Sequence, residues 1–117
     1  MESGKRLQVF FFRTENGGEP VRDWLKALGK KERMLIGVDI KTVEYGWPIG
    51  MPTCRPMGHG LFEVRTSLPG RITRVLFCIA GGRMVLLHGF IKKTQQTSKQ
   101  DLDLALHRKR QLEGHHG

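Results

Sequence analysis

Acidic residues are scarce: eleven Asp and Glu stand against twenty Lys and Arg, giving a net charge of +9 over 117 residues. That deficit argues against a surface built for cationic partners and makes an anionic partner the leading expectation. Cysteine is nearly absent as well. Cys54 and Cys78 form neither a C-x-x-C pair nor the dense pattern of a secreted disulfide scaffold, so a reducing, cytoplasmic setting is expected. The longest apolar runs, around Val9–Phe12 and Met84–Leu87, fall far short of the roughly 20 residues of a membrane span, and no signal-type apolar segment opens the chain. No membrane partner is expected. His59, His88 and His107 lie far apart with no acidic cluster beside them, so neither a metal site nor a cofactor is predicted.

What is present suits one small domain over residues 1–117, with 113–117 read as a flexible tail. Leu7–Arg13, with its Val-Phe-Phe-Phe run, reads as a strand buried on both faces. Asn16-Gly17-Gly18 signals a turn, and Pro20 then opens a helix with Val21, Trp24, Leu25 and Leu28 at helical spacing. Lys30–Tyr45 follows as a second helix, with Met34, Leu35, Val38 and Val43 as its apolar stripe, and Gly46 and Pro48 end it. Gly46–Gly60, rich in Gly, Pro and Met, reads as a loop. Leu61–Thr66, Arg71–Ile79 and Arg83–Ile91 read as strands, broken by Pro69-Gly70 and by Gly81-Gly82, which predicts a tight hairpin. Thr97 or Ser98 caps a last helix, with Gln100 and Asp101 as the reciprocal capping partners. The order β-α-α-β-β-β-α places the chain in the α+β class: a small, mostly antiparallel sheet with helices packed on one face.

Charge follows this division. Residues 1–50 hold nine bases and seven acids, whereas 55–99 hold eight bases and a single acid, Glu63. Along Leu61–Thr66 the side chains alternate, which puts Glu63 and Arg65 on one face and Phe62 and Val64 on the other. Arg74 interrupts the apolar run of the next strand, and Lys92 and Lys93 lie just past the end of the third. If these strands are neighbours, Arg65, Arg74 and Lys92 or Lys93 converge around Glu63, a cluster fit to hold a phosphate and the charge that develops on it. Arg55 and His59 in the preceding loop, with Arg71 and Arg83 at strand starts, are the further candidates for nucleic-acid contact. The competing reading is a solvated sheet face whose bases meet water or Glu63. Rigid strand context favours the site over that reading. His88 shares strand parity with Leu86 and Phe90 and reads as a hydrogen-bonded core histidine.

At these residues the sequence resembles the RelE/HigB-type toxins of bacterial toxin–antitoxin pairs, in particular their phage-derived branch. The resemblance rests on Gly60-Leu-Phe-Glu-Val-Arg65, Arg71-Ile-Thr-Arg-Val-Leu-Phe77 and Val85-Leu-Leu-His-Gly-Phe-Ile-Lys-Lys-Thr94, and extends over the first strand, the Pro20–Trp24–Leu25 helix start and the last helix. It implies a compact RelE-like microbial RNase fold and a metal-independent endoribonuclease that cuts messenger RNA in the ribosomal A site. It also implies a cognate antitoxin, with DNA bound through the toxin–antitoxin complex. On the resemblance, Arg65 matches a basic residue of the family's second strand, Arg74 the arginine of the third, and Lys93 or Lys92 the basic position after the fourth. Glu63 takes a position that is basic in some members. Arginine stays charged and cannot easily act as a base, so Glu63, a lysine of lowered pKa or His59 must take the 2′-OH proton. The chain departs from its relatives after Lys93, where it has no Tyr, and His107 falls within the last helix. Two other readings keep the fold: a ParE-like protein that poisons DNA gyrase without cutting RNA, and a degenerate nucleic-acid-binding relic acting in autoregulation.

Overall fold

Turn chemistry sets the sheet. Strand β4 (Arg71–Ala80) and strand β5 (Arg83–Ile91) pair from Ala80 opposite Arg83, leaving only Gly81 and Gly82 to reverse the chain. Both glycines take positive φ, 58° and 75°, the combination a two-residue hairpin with native strand twist requires. Strand β3 (Leu61–Leu68) turns into β4 through Pro69-Gly70 in the same tight way. The computed structural model describes residues 4–50, 52–92 and 95–114.

The remaining elements are β1 (Gln8–Phe11), α1 (Pro20–Ala27), α2 (Lys30–Gly46), β2 (Cys54–Gly58) and α3 (Lys99–Gly114). The five strands order β1-β5-β4-β3-β2; β1 runs parallel to β5 and every other pairing is antiparallel. The α+β class is as the sequence indicates, and four details differ.

First, Cys54–Gly58 is a strand within the segment read as a loop. Pro56 and Gly58 suppress its strand signal, and both are tolerable because β2 lies at the sheet edge, where one side of the ladder needs no partner. Second, β1 is an edge strand rather than one buried on both faces: its burial alternates, and Phe10 stays 40% exposed beneath the guanidinium of Arg83, 5.2 Å from the ring centroid. Third, the core stripe of α2 is Ile36, Ile40 and Val43, while Met34, Leu35 and Val38 face outward. Fourth, the helices do not share a face. Alternation along β4 sends Val75, Phe77 and Ile79 into one core with α1 and α2, and Leu76, Cys78 and Ala80 into another with Leu102, Ala105 and Leu106 of α3. Residues 113 and 114, read as tail, belong to α3.

Ser98 rather than Thr97 caps α3. Its Oγ accepts the Asp101 N–H at 3.1 Å and donates to Asp101 Oδ2 at 2.7 Å.

Candidate active site

Register brings the cationic side chains together on the face that α3 covers in part. Arg55, Glu63, Leu76 and His88 form one row across β2, β3, β4 and β5, and Arg65, Arg74 and Phe90 form the next. Lys92 follows one step further, its N–H donating to the Ile72 carbonyl at 2.7 Å. Of the predicted residues, Arg55, Glu63, Arg65, Arg74 and Lys92 are thus neighbours. Lys93 lies outside the described residues.

The structure separates these five into a buried pair and a cationic rim. Glu63 and Arg74 are both 2% exposed, with Arg74 Nη1 3.1 Å from Glu63 Oε1. Thr97 joins them: its Oγ1 accepts from Arg74 Nη1 at 2.9 Å and donates to Glu63 Oε2 at 2.5 Å, while Arg74 Nη2 donates to the Gln95 carbonyl at 3.3 Å. Two opposite charges removed from water persist only when paired and hydrogen-bonded in this way. Arg74 therefore cannot touch a phosphate from this position. It braces the segment that leads into α3.

With Glu63 paired to Arg74, none of the rim cations Arg55, Arg65 and Lys92 forms an ion pair among the described residues. Arg65 forms no ion pair among the described residues, and its Nε has no hydrogen-bond partner. Partial desolvation lowers the Lys92 pKa from its ordinary value, and the nearby positive charges of Arg74, Arg65 and Arg55 lower it further against the opposing pull of Glu63. A lysine so placed yields its neutral amine more readily than one in water.

Beside the rim, a cleft of about 590 Å³ opens along β5 past the end of β1, lined by Trp24, Gly89, Phe90, Lys92, Gln96 and Asp101. Gly89 is required there. A β-carbon at this position would stand 2.4 Å from Cε3 of Trp24, so only glycine lets the indole of α1 lie flat against the strand.

Three predicted contacts lie elsewhere. Arg71 belongs to the opposite face, where it pairs with Glu32 of α2 and holds that carboxyl below its ordinary range. Arg83 sits at the far end of β5 over Phe10. His59 occupies the β2–β3 turn at φ 56°, beyond the start of β3 and away from Lys92. Arg71 is three residues from Arg74 and so alternates to the other face, whereas alternation assigns faces but not ends and therefore left open how far Arg83 lies from the cluster.

One residue was placed wrongly by parity. The β4–β5 register shifts between Leu76 and Phe77, so Leu87 is an extra residue and both Leu87 and His88 turn toward α3. The Leu87 carbonyl accepts from Arg108 Nη1 at 2.7 Å, so α3 helps hold the bulge. His88 is hydrogen-bonded, as the sequence suggests. However, it stacks on Phe90 and bonds to Asp101 on the α3 face rather than joining Leu86. A bulge leaves no mark in a strand pattern, so the sequence offered no signal for this.

Burial pushes the thiols of Cys54 and Cys78 up to about 11, which leaves neither as a thiolate nucleophile. Among the described residues no group of three or more His, Cys, Asp or Glu could hold a metal ion, and no helix is long and apolar enough to cross a membrane.

Fold and site together define a small basic α+β domain with a cationic cluster mounted on rigid strands. The match to known families is specific. The chain belongs to the family described as Phage derived protein Gp49-like (DUF891), whose model matches residues 23–110 and so takes in every member of the cluster. No curated protein matches the chain.

Proposed function

We propose that this protein is the toxin of a toxin–antitoxin pair, a metal-independent ribosome-dependent endonuclease that cuts messenger RNA and thereby blocks translation. Membership of the phage-derived family supports the toxin context, since that family is associated with RelE-like toxins. The observation that carries the nuclease reading is the cationic rim: three cations converge on one sheet face while Glu63 is locked beneath them by Arg74 and Asp101, across the cleft, is paired with His88. A phosphodiester drawn to that rim supplies the missing negative charge, and the same cations stabilise the extra charge on the phosphorane-like transition state. Lys92 is the candidate base for the ribose 2′-OH, because Glu63 is buried and paired and His59 lies outside the cluster. The cognate antitoxin, the ribosome and mRNA are the proposed partners, in the cytoplasm.

The test is induced expression in a bacterial host with mapping of new 5′ ends on cellular mRNA. Arg65→Ala is the control, since Arg65 is unpaired and only partly buried. Frame-linked cuts within coding sequences are expected, slowed on the order of 10²–10³-fold in Arg65→Ala, the usual cost of removing one charge-stabilising donor. Growth arrest without cuts would point instead to a gyrase poison. Absence of arrest would point to a nucleic-acid-binding relic whose affinity falls steeply with salt.

A further inference from the structure

General acid chemistry is the part of the proposed reaction that the cationic rim does not supply. Once the 2′-oxygen attacks phosphorus, the leaving 5′-oxygen needs a proton, and arginine does not release one near neutral pH. On the same face as Glu63 and Arg65 stands a histidine–carboxylate pair. His88 Nε2 lies 2.6 Å from Asp101 Oδ1, with the histidine side chain 16% exposed and the aspartate 27%. Both partners are held. The β5 bulge turns His88 toward α3, Phe90 stacks on its ring with centroids 5.2 Å apart, and Ser98 fixes Asp101 through the helix cap. Asp101, Phe90 and Lys92 all line the 590 Å³ cleft at the open edge of β5.

We propose that His88, oriented by Asp101, is the general acid that protonates the leaving 5′-oxygen, an inference that rests on the nuclease reading. A carboxylate on one ring nitrogen fixes the tautomer and aims the other nitrogen at the substrate, while stabilising the ring when it carries both protons. Here Asp101 takes Nε2, so Nδ1 is the donor. The step balances within the chain. Lys92 Nζ takes the 2′-OH proton, the 2′-oxygen bonds to phosphorus, and the bond from phosphorus to the 5′-oxygen breaks as Nδ1–H transfers its proton there. The products are a 2′,3′-cyclic phosphate and a 5′-hydroxyl, with lysine protonated and histidine neutral until water exchanges the protons back. Four residues of strand separate the two groups, roughly 13 Å at about 3.3 Å per residue, a span that the long lysine stem shortens.

The decisive experiment compares two messages on programmed ribosomes, one with an ordinary scissile phosphate and one with sulfur at the bridging 5′ position. A thiolate leaves without a proton. His88→Ala should cut the ordinary message on the order of 10²–10⁴-fold more slowly, the usual weight of general acid–base catalysis, yet cut the sulfur message at close to the wild-type rate. Asp101→Asn, which keeps the side-chain shape at the helix cap, should show the same pattern more weakly. Arg65→Ala should be slow on both messages. His88→Gln, with its thermal midpoint measured beside the wild type, guards against a folding artefact.

Equal cutting of the ordinary message by His88→Ala and wild type would overturn the role of His88 and leave the nuclease reading standing. Equal slowness of His88→Ala on both messages would overturn it as well, reducing His88 to a structural group. Failure of the wild-type protein to cut either message would overturn the nuclease reading, and the acid assignment with it.

Discussion

Arg74→Ala is expected to destabilise the domain by about 3–5 kcal/mol, the usual cost of leaving one member of a buried ion pair without its partner. The loss does not come chiefly from a missing attraction. Glu63, 2% exposed, would remain as a buried charge without its direct partner, keeping the Thr97 hydroxyl as its side-chain donor among the described residues, with the rim cations attracting it from further off. For a domain of about 100 residues, each kcal/mol shifts the melting temperature by several degrees, so a fall of roughly 12 °C or more is anticipated in a thermal scan. Replacing both partners by apolar residues of similar volume should restore most of the stability, because no charge is then stranded. A loss below about 1 kcal/mol for the single variant would mean that water reaches the pair and that the network is not the brace described above. The same physics decides how a toxicity assay must be read. An inactive Arg74→Ala protein would report unfolding before it reported chemistry.

Phe77→Ala should cost a similar amount, about 3–5 kcal/mol, for a different reason. The Phe77 side chain is fully buried, stacked on Phe62 with centroids 5.6 Å apart and meeting Trp47 edge-on at 6.0 Å. Its removal opens a cavity that rigid neighbours cannot collapse into. It also deletes two aromatic contacts, each contributing about 0.5–1.5 kcal/mol beyond its area. Urea titration should show a lower midpoint with an unchanged slope, and Trp47 emission should report the local change in packing. An unaltered midpoint would show that the α2 face of the sheet is not the tightly filled core described here.

The sequence carried more of the sheet than of the site. β3, β4 and β5 were legible because Pro69-Gly70 and Gly81-Gly82 punctuate runs of β-branched and aromatic residues, and each such dipeptide has a turn it is fitted to make. β2 escaped because Cys-Arg-Pro-Met-Gly has low strand propensity and is held by its position beside β3. The outward Met34, Leu35 and Val38 looked like a core stripe because periodicity reports that a helix has an apolar side, and two overlapping sides can satisfy it. For the site, alternation placed Glu63 and Arg65 together, and the register added Arg55. What no pattern could disclose was depth. Glu63 and Arg74 read as surface charges from residue type alone, whereas in the fold both are 2% exposed and the Gln95–Thr97 segment hydrogen-bonds to Arg74. The pairing of His88 with Asp101 needed both a bulge and a helix cap, two local events whose spatial coincidence is tertiary.

The parallel pairing of β1 with β5 carries a consequence for biosynthesis. Gln8 finds its partner in Arg83, so the first strand made must wait through 75 residues of translation before the edge it completes exists. Hairpins β3–β4 and β4–β5 close locally through short loops, whereas β1 pays a long closure entropy for a parallel ladder. Pulse-labelled hydrogen exchange should accordingly find the β4–β5 amides protected before those of Gln8–Phe11, and simultaneous protection would contradict this order. A ribosome making this chain therefore holds an unfinished sheet until nearly the whole molecule has been synthesised, which delays the appearance of a folded cationic face close to the machinery it is proposed to attack.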